Sequence, residues 1–306
     1  MAVPDGAPAQ AVGLPGAERV PPLVLVLTGI ASVQVGAALS AKIFDDVGPA
    51  GASLLRIAFA ALILGVAVRP RVPGRDPRHL RLAALFGLAL GAMNLSFYEA
   101  LDRLPLGVAV TIEFVGPLGV AVVASRRRLD LLWAALAAIG IVLLSDPFGA
   151  GGIDGAGFVL ALVAGGCWAL YILLAQRAGR VFPGADAIAI AMVVAALVPL
   201  APGLAQGGTT LVHPQFLAIG LGVALLSSVI PYTLELEALR RLPANVFGVL
   251  MSLEPAAAAL VGLLVLGQGL GVLDVVAIAL VVAAGAGVSL AAPRPSAADV
   301  EQPAAV

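Results

Sequence analysis

Apolar runs of about 17 to 23 residues alternate with short connections rich in charge, proline and glycine along almost the whole chain. Each run is long enough to cross a hydrocarbon core of ~30 Å as a helix. The pattern predicts ten membrane helices, near 21–42, 49–68, 81–100, 105–125, 129–145, 155–176, 185–203, 215–236, 244–266 and 270–291. They fall into two sets of five, residues 21–145 and 155–291, joined by a turn-rich linker, 146–154, that holds Pro147, Gly149, Gly151 and Gly152. Residues 1–20 and 292–306 are tails. Arg19 is the one basic side chain before the first run, and that run is long enough to span, so it reads as a retained helix and not as a cleaved signal.

Residues 99–117, EALDRLPLGVAVTIEFVGP, return 138 positions later as EALRRLPANVFGVLMSLEP, residues 237–255, with 8 of 19 positions identical and no gap. A weaker echo places Ala60, Ala61 and Leu62 at a spacing of 135 from Ala195, Ala196 and Leu197. The two sets of five therefore read as a duplication. Of 17 Lys and Arg residues, 16 lie in connections or tails, and 14 of these fall on one side if the N-terminus is cytoplasmic, with Lys42 and Arg103 opposite. Positive charge accumulates on the cytoplasmic side of membrane proteins, so both termini are expected there. An odd number of spans per set makes the second set enter the membrane in the opposite sense. The expected fold is all-α, ten transmembrane helices as two inverted five-helix repeats, the arrangement that supports alternating access.

Composition narrows the function. Hydrophobic residues are 61% of the 306, charged residues 11%, and the mean hydropathy is +1.07, which makes lipid the solvent. A net charge of −1 gives no footing for nucleic acid, Cys167 is alone, and His79 and His213 are far apart, so neither disulfide nor metal-ligand spacing is present. No phosphate-binding GxxxxGK[ST] loop occurs, and no embedded nucleophile has a base beside it, so neither an ATP-driven pump nor an enzyme is expected, and no cofactor.

The few polar groups at membrane depth are candidates for function, because an ionised side chain at the bilayer centre costs roughly 2.5 to 3.5 kcal/mol. Gln34, Arg56 and Glu113 each lie roughly 10 to 12 Å in from the outer surface at about 1.5 Å per residue. Two readings of Arg56 and Glu113 stand: they hold the carboxylate and ammonium of a zwitterion, or they pair with each other and fasten two helices. Glu254 lies near the midplane with no basic residue in its own half at that depth, so its least costly state is protonated or hydrated. It is the first candidate to carry a proton, ahead of Glu113 and Glu235. Glu99 lies near the outer end of its helix and ranks lower. Pro117 frees the carbonyl of Glu113, Pro255 that of Met251 and Pro231 adds a third interruption near Ser227 and Ser228, predicting kinks beside a central site. Asn94, Tyr98 and Tyr232 complete the substrate-binding candidates, whereas Trp168 and Tyr171 read equally as packing or interface anchors. Gly87 and Gly91 are spaced for close helix packing.

The segments MNLSFYEALDRLPLGVAVTIEFVGPL and IPYTLELEALRRLPANVFGVLMSLEPAAAALVG resemble the threonine/homoserine exporters of the EamA type, within the drug/metabolite transporter superfamily, and the likeness runs from about residue 23 to 290. The resemblance implies two inverted five-helix repeats around a central cavity, in the inner membrane, exporting small amino acids against protons. Tyr98, Glu113, Pro117, Tyr232, Glu235, Glu254 and Pro255 match its pattern position by position. Leu266, Gly267 and Gln268 depart from a common Leu-Gly-Glu, so no charge-dependent role is expected at that outer turn. An exporter of other metabolites or drugs on the same fold is the alternative, and a channel is disfavoured by inverted halves.

Overall fold

In hydrocarbon the backbone must satisfy its own hydrogen bonds, and the computed structural model is helical throughout its described residues, 20–72, 74–124, 129–144, 153–183, 185–239, 241–242 and 244–291. The helices are α1 Pro22–Ala41, α2 Phe44–Val68, α3 Pro77–Leu101, α4 Leu106–Glu113, α5 Val115–Ala124, α6 Leu129–Leu144, α7 Gly155–Ala178, α8 Asp186–Leu197, α9 Leu200–Gly207, α10 Pro214–Ala224, α11 Ile230–Leu239, α12 Ala244–Met251, α13 Glu254–Leu266 and α14 Val272–Ala291. Eight runs among the described residues are long and apolar enough to cross a membrane: α1, α2, α3, α4 with α5, α7, α10 with α11, α12 with α13, and α14. Residues 146–152 of the expected linker and most of both expected tails lie outside the described residues.

Two expected spans take another form. The run expected at 185–203 is broken, and α8 meets the stretch Leu200–Val212 at 48°. Pro199, the residue before α9, has no N–H to continue the helix. The run expected at 129–145 is the short α6 of 16 residues, about 24 Å at 1.5 Å per residue. In α2 the expected start at 49 coincides with a break: Gly48 has φ 72° and ψ 160°, so Phe44–Val47 is a separate lead-in turn.

The repeated segment is interrupted twice at equivalent places. Phe114 separates α4 from α5, and Ser252 with Leu253 separates α12 from α13; Phe114 and Ser252 are 138 apart. Each break lies three residues before its proline, where the missing N–H leaves the carbonyls of Glu113 and Met251 outside the helical ladder. At Pro231 the helix instead widens. Residues Leu225–Val229 form a π turn, and the Ile230 N–H reaches back to the Leu225 carbonyl, five residues away, which inserts one residue ahead of the proline.

Helices of the two sets interleave. α2 packs on α8 and α9, α3 on α7 and α8, α1 on α10 and α11, α4 on α13 and α7, α1 also on α13, and α6 on α14. The largest apolar cluster joins both sets at the end carrying the α1–α2 and α3–α4 connections, with Phe44, Val47, Leu101, Leu106, Leu211 and Phe216. At the opposite end the apolar contacts separate into one group on α3, α7 and α8 and another on α1, α11 and α12. Lipid tails are as apolar as leucine, so close backbone approach replaces hydrophobic drive in holding helices together. Gly87 and Gly91 do this for α3 on α8: a Cβ on Gly91 would lie 2.5 Å from the Ala195 carbonyl oxygen.

Gly91→Val is accordingly expected to lower the melting temperature of the detergent-purified protein by several degrees, because the obstruction is backbone that cannot turn aside. Gly222→Val, with nothing within 4 Å of its added Cβ, should leave it unchanged.

Candidate transport site

The interruption at Pro231 supplies the first element of the site. A proline at 231 cannot bond the carbonyl of Ser227, four residues back, and Arg56 donates from Nη2 to that carbonyl at 3.0 Å. Arg56 also makes a longer contact from Nη1 to the Tyr98 hydroxyl, 3.4 Å, and its guanidinium carbon lies 5.7 Å from the centre of the Tyr98 ring. Tyr98 is fully buried, with Phe44 and Phe97 rings at 5.8 and 6.1 Å. It stands behind Arg56, which is only partly buried. The Tyr98 hydroxyl lies 2.8 Å from Ser40 Oγ on α1.

A stripe of small residues brings α1 to this place. Gly29, Ser32, Gly36 and Ser40 recur at three- and four-residue intervals on one face. A Cβ on Gly29 would lie 3.6 Å from Glu235 Oε1, Ser32 Oγ donates to the Leu226 carbonyl at 2.6 Å, and a Cβ on Gly36 would overlap Ser227 Oγ. The stripe lets α1 lie against the π turn and α11.

Arg56 and Glu113 do not form an ion pair. Among the described residues the ion pairs are Arg75 with Asp186 and Arg241 with Glu237, both away from this region, while Arg56 is taken up by Tyr98 and the Ser227 carbonyl. The sequence sets the depth of both groups but not their rotation about the helix axes. Glu113 ends α4 and is 7% exposed; Glu254 begins α13 and is also 7% exposed. Glu113 and Glu254 stand at the broken ends of α4 and α13, which pack on each other, and Glu235 lies against Gly29 of α1, which also packs on α13. Four ionisable groups from α2, α4, α11 and α13 thus share one region. Glu113 sits at a helix C-terminus, which disfavours negative charge, and Glu254 at a helix N-terminus, which favours it.

The remaining candidates are less closely joined. Gln34 is buried on α1 with its Oε1 lacking a hydrogen bond among the described residues. Asn94 is buried and donates to the Leu90 carbonyl of its own helix at 2.9 Å. Tyr232 belongs to α11, with its side chain outside the described residues. Trp168 packs edge-on to Phe114 at 6.3 Å and Tyr171 near Phe86 at 5.3 Å. Behind the Glu113 break a Cβ on Gly165 would lie 2.7 Å from the Glu113 carbonyl oxygen, so glycine is what lets α7 approach. Sequence reading passed over Ser40, Gly36 and Gly165. The small-residue stripe on α1 was the available signal for the first two.

At the other end of α4, Gln268 Oε1 accepts from the Leu106 N–H at 2.9 Å, and Gln206 Oε1 accepts from the Ala50 N–H at 2.8 Å just past the Gly48 break. Each glutamine of the second set caps a helix start in the first. This requires only an acceptor oxygen, which a neutral amide supplies.

The architecture agrees with known proteins. The model of the EamA-like transporter family matches residues 155–290. The threonine/homoserine exporter RhtA of Escherichia coli strain K12 is 43% identical over 273 residues, covering 88% of this chain and 91% of that protein. RhtA of Salmonella typhimurium strain LT2 is 42% identical over the same length. A solved crystal structure with 18% identity superposes at a TM-score of 0.58 over 87% of this chain and 96% of its own, a likeness of fold. With its apolar helices and this relationship along nearly its whole length, the chain is a multi-pass membrane protein and belongs to the EamA-like transporter family.

Proposed function

We propose that the protein is a secondary exporter of small neutral amino acids, of the threonine and homoserine type, in the inner membrane, driven by proton antiport. The observation that carries this reading is the gathering of Arg56, Glu113, Glu235 and Glu254 at membrane depth, beside three proline interruptions. Arg56 supplies planar N–H donors suited to a carboxylate, Glu113 accepts the ammonium, and Glu254 exchanges the proton. The kinship to exporters named for threonine and homoserine supports the substrate class.

The eight long helices, the bent α8–α9 pair and short α6 together make ten spans, divided at the linker into repeats 21–145 and 155–291. Helix pairing supports an internal twofold relation, because α3 on α7 is matched by α11 on α1, and α5 on α7 by α13 on α1. Both termini are cytoplasmic on the distribution of arginine. In that frame the closed end is the outer one. Gly107 meets Ala259 where α4 crosses α13, with a Cβ only 2.7 Å from the Ala259 Cα. The counterpart helices α5 and α12 make no comparable crossing among the described residues, which supports a resting state open to the cytoplasm. One proton at 100 mV supplies ~2.3 kcal/mol, enough for a gradient of roughly forty-fold.

Topology has a direct check. A reporter active only in the cytoplasm should work when fused after Arg75 or Arg127 and fail after Gly207; activity at Gly207 would overturn the inverted arrangement. In proteoliposomes, Arg56→Gln should raise the KM for threonine about ten-fold or more, the effect of losing a hydrogen bond to a charged group, while Arg71→Gln leaves it unchanged. Glu254→Gln, fixed in a form that cannot exchange a proton, should abolish uphill transport driven by a proton gradient and retain threonine-for-threonine exchange. Uphill transport by the Gln variant would transfer the coupling role to Glu113 or Glu235.

A further inference from the structure

A hydroxyl next to a hydroxyl leaves the direction of its hydrogen bond open, but here the surroundings fix it. Ser40 Oγ lies 3.1 Å from the Gly36 carbonyl, one turn back on α1, and 2.8 Å from the Tyr98 hydroxyl. Ser40 has one hydrogen, and the Gly36 carbonyl can only accept. The Tyr98 hydroxyl faces Arg56, which can only donate, and Ser40. Every donor has an acceptor in one arrangement: Arg56 N–H to Tyr98 oxygen, Tyr98 O–H to Ser40 oxygen, and Ser40 O–H to the Gly36 carbonyl. Were Ser40 to donate to Tyr98, the phenol hydrogen would have no acceptor among the described residues, at a position with no exposure.

We infer that Ser40 is a positioning residue of the substrate site, acting through Tyr98 to hold Arg56 in the orientation that receives a carboxylate. The chain of hydroxyls turns the Tyr98 oxygen toward Arg56 as an acceptor, and the Ser227 carbonyl accepts from the other terminal nitrogen. The guanidinium is thereby held on two sides by partners from both sets of helices. Two of its five N–H bonds are used, and three remain for a ligand. Tyr98 and Ser40 are buried behind Arg56; their contribution is to fix a long side chain that otherwise samples many rotamers, which lowers the cost of binding. This inference rests on the reading of Arg56 as the carboxylate site.

The test measures KM and maximal rate for threonine exchange in proteoliposomes. Ser40→Ala is expected to raise KM about three- to ten-fold, as for one neutral hydrogen bond, with the maximal rate preserved. Ser40→Thr, which keeps the hydroxyl, should restore the wild-type KM. In an Arg56→Gln background Ser40→Ala should add nothing, since the group it orients is gone. Tyr98→Phe cuts the same chain nearer the arginine and should also raise KM, which serves if the alanine variant inserts poorly. A KM unmoved by either inserted variant, a loss shared by Ser40→Thr, or an effect additive with Arg56→Gln would overturn the role of Ser40. An unchanged KM in Arg56→Gln itself would instead remove the carboxylate reading on which it depends.

Discussion

The structure turns on one constraint: in hydrocarbon each backbone carbonyl released from its helix must find a partner within the protein or a wet cavity. Three prolines release such carbonyls, and the polar region lies among them. At Pro231 the chain takes a π turn and the Ser227 carbonyl receives Arg56. At Pro117 the helix ends after Glu113 and restarts beyond Phe114, with the glycine of α7 at position 165 admitting the exposed carbonyl. At Pro255 the break is two residues wide and places Glu254 at the head of α13. The interruption at Pro231 therefore holds a charged side chain at depth by the same carbonyl that it exposes.

The two ends of the molecule differ in a way that bears on transport. At one end both sets of helices share a single apolar cluster, and glutamines 206 and 268 cap helix starts of the other set. At the other the apolar contacts divide into separate groups. Caps of this kind are neutral and specific to position, so they join the two sets at that end without a buried charge. Arg56, bonded to both sets, sits between these ends.

Much of the fold was legible because the bilayer imposes a minimum length on each apolar run, so hydropathy alone locates the helices. The repeat of 138 residues located the two equivalent breaks before any coordinates. Pro199 was visible too, yet the continuation through α9 was not. Its sequence, LAPGLAQG, has the composition of a loop and is helical because Gly203 packs on Ala50 and Leu54 of α2. For the site, depth was readable and azimuth was not. Arg56 and Glu113 fall at one level, and whether they meet depends on helix rotation, which packing decides. Ser40 was hidden for another reason: a serine in a membrane helix commonly bonds its own backbone, as this one also does, and only the neighbour across the helix interface gives it a further role.

The central claim, that an inverted pair of helix sets moves a zwitterion against a proton, is tested most directly by uptake of labelled threonine and homoserine into inverted membrane vesicles. With an acidic lumen, vesicles carrying the protein should accumulate both amino acids above the external concentration, and collapse of the gradient should release them to equilibrium. Uptake that is the same with and without the gradient, or no greater than in vesicles lacking the protein, would contradict the account.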